Sequence, residues 1–103
     1  EGYYVKSNLQ IQEIRRAVLN ILEPVGKKVY TIVNYDNFNI LPDLMDEYTE
    51  VVKELVEKYY IKTTNYTSSA FARMKLGDAL REKKVTPYMY ETRKEAEKAL
   101  RKT

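Results

Sequence analysis

The chain has 103 residues, 44% hydrophobic and 32% charged, with 18 Lys and Arg against 15 Asp and Glu for a formal charge of +3. This is the length and balance of one globular domain with a single core, and so small a net charge does not mark a polyanion-binding protein. Cysteine and histidine are both absent, which excludes disulfides, thiolate zinc sites, and the commonest general base and metal ligand.

No apolar run approaches the roughly 18 residues that cross a bilayer, and no signal-peptide pattern opens the chain. A cytoplasmic location is the expectation, so the Asn65-Tyr66-Thr67 sequon carries little weight. The chain starts with Glu rather than Met. The expectation is a single domain, residues 1–103, excised from a longer protein.

Gly2 to Val5 reads as a short opening strand. Ser7 has the chemistry of an N-cap, and Ile11, Ile14, Val18, Ile21 and Leu22 recur at helical spacing, which predicts a helix to Leu22. Pro24 and Gly26 close it. Val29 to Val33 is rich in β-branched residues and reads as a strand. Its continuation turns polar through Asn34, Tyr35, Asp36, Asn37 and Asn39, and Pro42 then suits a first helical turn.

Leu44, Tyr48, Val51, Leu55 and Tyr59 form the apolar stripe of a long helix, opposite a solvated face of Glu50, Lys53, Glu54, Glu57 and Lys58. Ile61 to Tyr66 is a second strand. Thr67, Ser68 and Ser69 are cap-type residues before a helix from Ala70 to Lys83, which buries Ala72, Leu76, Ala79 and Leu80 and carries Phe71 and Met74 at its flank. Thr86 to Tyr90 reads as a third strand. Thr92 and Glu95 make a capping box for a last helix with a thin stripe of Ala96, Ala99 and Leu100. Strands separated by helices of this length require crossovers, so the expected fold is α/β, a mainly parallel sheet of about four strands with four helices.

In such a sheet, ligands favour the crevice beyond the carboxyl ends of the strands. Two polar clusters stand at such ends: Asn34, Tyr35, Asp36 and Asn37, and then Asn65, Tyr66, Thr67, Ser68 and Ser69. If their strands are neighbours, the clusters share one rim beside a helix N-terminus, where free N–H groups favour an anion. These are the candidate ligand-binding residues. Turns and caps use the same residue types for structure alone. No glycine falls between Gly26 and Gly77, so neither a P-loop nor a dinucleotide fingerprint fits these turns.

Catalysis has little material. Asp36 lacks a histidine partner, and Ser68 or Ser69 would need a lysine or carboxylate as activating base. No catalytic residue, metal site or cofactor is expected. The ten tyrosines, among them Tyr3-Tyr4, Tyr59-Tyr60, Tyr88 and Tyr90, suit core edges and protein interfaces. The glycine-aromatic pattern of an RNA-recognition motif is missing, so nucleic acid is not an expected partner. Nor is a membrane.

The order of elements resembles the STAS-like fold of anti-sigma-factor antagonists and sulfate-transporter tails. "VTPYMYETRKEAEKAL" is similar to that family's final strand, capped turn and helix, and "VYTIVNYDNF" to its central strand. The segment "NFNILPDL" has no Ser, Thr or Gly where the antagonists carry a phosphorylated serine, which puts a phosphoswitch in doubt. "KKVYTIVNYDNFNI", "KELVEKYY" and "NYTSSAFARMKLGDALREKK" resemble a domain attached to the C-terminal side of some bacterial proteins related to acyl-CoA:acetate/3-ketoacid CoA transferases. That likeness implies a non-catalytic accessory domain contacting parent catalytic domains or a second copy. The competing expectation is a small-anion, nucleotide or CoA-binding module using the polar rim.

Overall fold

Local chemistry sets most element boundaries in the computed structural model, which describes residues 3–102. The first strand, β1 (Tyr3–Val5), leads into helix α1 (Asn8–Leu22). Ser7 Oγ accepts the Gln10 N–H, and the Gln10 side chain accepts the Ser7 N–H in return. Two free donors of the first turn are thereby satisfied. A 3₁₀ turn through Pro24 ends at Gly26, whose φ of 75° lies where a side chain would be strained.

Strand β2 (Val29–Asn34) follows, and the chain reverses at Tyr35, where the Phe38 N–H donates to the Tyr35 carbonyl and Asn37 takes φ 61°. Next come β3 (Phe38–Ile40), a 3₁₀ turn opened by Pro42, and helix α2 (Met45–Tyr59). Strand β4 (Tyr60–Tyr66) leads to helix α3 (Ala70–Glu82), capped by Ser69 Oγ on the Ala72 N–H. The last elements are β5 (Met89–Tyr90) and helix α4 (Arg93–Arg101), whose Thr92–Glu95 capping box forms as the sequence indicates.

The strands form two small sheets rather than one. β2, β4 and β5 pair in that order, all parallel, and β1 pairs in parallel with β3. The expected α/β architecture with four helices and parallel strands is present; the single four-stranded sheet is not, because β1 pairs with β3, a strand within the expected polar loop, instead of joining the larger sheet. Three residues carry too short an alternation to be recognised alone, and the partner of β3 lies more than thirty residues back. Of the expected opening strand, Gly2 lies outside the described residues.

The core gathers Val5, Ile11 and Leu22 with Tyr48, Val51 and Leu55 of α2 and Leu76 of α3, over Val29, Val33 and Met89 of the larger sheet. α4 covers the opposite sheet face. There Thr64 Oγ1 donates to the Ala96 carbonyl at 3.0 Å, and Lys62 Nζ donates to the Ala99 and Lys102 carbonyls at the end of α4. α1 is tied to α2 by a forked pair, Arg15 to Glu54 at 2.7 and 2.9 Å, which holds the Glu54 carboxyl down at about 2.

Two finer expectations need correction. Ile21 is 70% exposed, since it lies about 80° around the helix from Ile11 while Leu22 falls almost in line with it. The third strand begins at Met89 rather than Thr86. Pro87 has no N–H to give a ladder, and Tyr88 takes φ 45°, which extended backbone does not allow.

Candidate functional site

The parallel pairing of β2 with β4 puts Asn34 opposite Tyr66, and the Tyr35 N–H extends the ladder to the Tyr66 carbonyl at 2.8 Å. The two polar clusters therefore emerge at one rim. Asp36 closes the gap between them. Its Oδ1 accepts the Ser68 N–H at 2.7 Å, the Ser68 hydroxyl at 3.0 Å and the Thr67 hydroxyl at 3.1 Å. The Ser68 backbone and side-chain bonds, with a smaller part from Thr67, hold its carboxyl below the usual carboxylate range.

Several other rim groups are engaged in the same way. Asn34 Oδ1 accepts the Asp36 N–H at 2.8 Å, which fixes the turn. Thr67, only 1% exposed, accepts the Ser69 N–H on its hydroxyl and the Arg73 guanidinium on its carbonyl. Asn65 is buried and donates its side-chain amide to the Pro87 carbonyl at 2.6 Å, so the sequon nitrogen is not presented to solvent. The Asn37 carbonyl accepts the Tyr3 N–H. Tyr66 is half-buried, and Asn34, Asn37, Ser68 and Ser69 are exposed.

Tyr35 does not face the rim. Its ring is 5% exposed, and its hydroxyl meets that of Tyr48 at 2.8 Å inside an aromatic cluster with Phe38. Burial pushes the Tyr35 phenol up to about 12 and raises that of Tyr48 as well. The parity of an extended strand carries the signal for this placement: Val33 faces the core, so Tyr35 two residues on shares that face.

A second feature carries no polar signature. A groove of about 570 Å³ runs between Phe38, Ile40 and Met45 on one bank and Phe71, Leu76 and Ala79 of α3 on the other. Phe71, which lines it, is 67% exposed, and Met74, on the same helix but outside the lining, is 53% exposed. Both stand at the flank position read from the sequence; what could not be read is the bank that β3 supplies. Of the ten tyrosines, Tyr3, Tyr4, Tyr30 and Tyr88 are exposed, while Tyr59, Tyr60 and Tyr90 are half-buried. Tyr88 lies beneath the Lys62 ammonium, 4.7 Å from its ring centre.

Among the described residues no group of three or more acidic, His or Cys side chains converges as a metal site, and no helix is long and apolar enough to cross a membrane. Compared with protein-family models, with curated proteins and with solved structures, the chain matches none.

Proposed function

We propose that this chain is a non-catalytic interaction domain, of the STAS-like kind attached to CoA-transferase-related proteins, that makes contacts with neighbouring domains or subunits. The observation that carries this reading is the large apolar side chains left on the surface, foremost Phe71, which lines the groove, with Met74 exposed on the same helix. Clustered exposed apolar groups beside a concavity mark interaction surfaces. The polar rim supports the reading from the other side, because Asp36, Thr67 and Ser68 spend their hydrogen-bonding groups on one another.

A small-anion, nucleotide or CoA-binding role for the rim has weaker support. The N-terminus of α3 would attract an anion, yet Asp36 Oδ1 already takes the Ser68 N–H, and its charge repels a second one.

The domains encoded beside this chain, produced separately and mixed with it, test the proposal by sedimentation velocity. Co-sedimentation is expected, weakened about tenfold by Phe71→Ser if that ring is an anchor. Independent sedimentation at micromolar concentrations sinks the reading. A thermal-shift series with phosphate, nucleotides and CoA should stay flat; a rising melting temperature in that series would favour the rim instead.

A further inference from the structure

Resting on the interaction role proposed above, we infer that the groove between β3 and α3 receives an extended peptide segment, which adds to the open edge of β3 and places a basic residue at the Asp78–Glu82 end. The β1–β3 ladder fixes which backbone groups are available. The Tyr3 N–H donates to the Asn37 carbonyl at 2.9 Å and the Leu41 N–H to the Val5 carbonyl at 3.0 Å. Odd-numbered positions of this stretch therefore turn toward β1. Parallel geometry then turns the Phe38 carbonyl and both backbone groups of Ile40 the other way.

No second strand pairs with β3 among the described residues, and Phe38 and Ile40 border the groove. The outward edge thus offers acceptor, donor and acceptor in sequence beside an apolar trough. Strand addition uses this combination: main-chain bonds hold the guest, and alternate side chains enter the trough. The lengths agree. From Phe71 to Glu82, α3 rises about 16 Å, the span of about five extended residues.

The groove also has a polarity. Ser68 at the head of α3 meets Asp36, whereas Lys83 at its tail meets Asp46 and Glu50, so α3 runs in the same sense as the chain from β3 to α2. Lys75 and Phe71 stand toward the head, their ammonium and ring centre 5.8 Å apart; at the tail stand Asp78, which Arg81 already meets at 3.2 Å, and Glu82, which has no ion pair among the described residues. A cation on the guest is favoured at the tail and opposed at Lys75.

The test uses the full chain and five-residue probes with Val at alternate positions and Lys at one end or the other. Each probe is paired with a version N-methylated at alternate amides. Backbone-amide NMR should show saturable shifts at Ile40 and along Phe71 to Glu82, and slower exchange of the Ile40 amide. One Lys placement should bind about threefold tighter, as an exposed ion pair provides. N-methylation should abolish binding, and Ala79→Arg should block it. Because Ala79 is half-buried, Glu82→Lys on the exposed crest is the second variant, expected to remove the Lys preference.

Equal binding of the N-methylated probes would overturn strand addition. So would a flat spectrum at millimolar peptide. Concentration-dependent shifts at these residues without peptide would assign the groove to a second copy instead. If neighbouring domains bind the chain while the probes leave Ile40 unmoved, this inference fails and the interaction role stands; if neither binds, both fail.

Discussion

The rim and the groove lie on either side of the reversal at Tyr35–Phe38, and they treat their surface groups in opposite ways. At the rim, Asp36, Thr67 and Ser68 bond one another, so polar residues that look like a site satisfy the joint between β2 and α3. At the groove, Phe71 stays exposed, as does Met74 on the same helix, where burying them inside the fold would have been favourable. A polar cluster at a strand end is thus a weaker sign of function here than an apolar side chain left uncovered.

The contrast can be broken most severely at Tyr35. If it belongs to the core, Tyr35→Phe strands the Tyr48 hydroxyl and should cost about 1–3 kcal/mol in urea unfolding. Adding Tyr48→Phe should recover part of that loss. A neutral single variant would return Tyr35 to the rim.

Asp36→Asn comes next. The folded-state carboxyl of Asp36 lies below its ordinary value, so the stability it contributes is complete above about pH 4. It is lost as pH falls through the lower folded value. The variant should melt below the parent near neutrality, and the gap should close in acid. Glu54, shifted from 4.5 to about 2, keeps an acid slope in both proteins. A gap unchanged by acid would show that Asp36 acts through shape rather than charge.

Within the larger sheet, the Thr31 and Thr63 hydroxyls sit opposite each other in the β2–β4 register, buried without hydrogen-bond partners among the described residues. Thr63→Val removes one such group, and a gain of about 1 kcal/mol is expected by denaturant titration. The smallest effect sharpens the comparison most. Phe71→Ser should change stability by less than about 0.5 kcal/mol while weakening partner binding, whereas a large loss of stability would make Phe71 a core residue.

What could be read from the sequence was local. Ser7, Ser69 and Thr92 sit where their oxygens cap the next helix, and Leu44 to Tyr59 spells out its buried stripe, because capping and helical period act within a few residues. The meeting of Asn34–Asn37 with Asn65–Ser69 also follows from the sequence, given that β2 and β4 are parallel neighbours. Direction within the strand was not legible at Tyr35: Ile32 and Val33 are both apolar, so the pattern leaves open which face is the core.

The groove was not legible. Its two banks come from β3 and α3, and β3 exists only because β1, far back in the chain, supplies its hydrogen bonds. The sequence by itself determined the helices, their caps and the α/β class, through interactions between near neighbours. Only the tertiary structure decided which polar residues were consumed internally and which apolar ones were left facing outward, because both depend on what distant segments bring within contact.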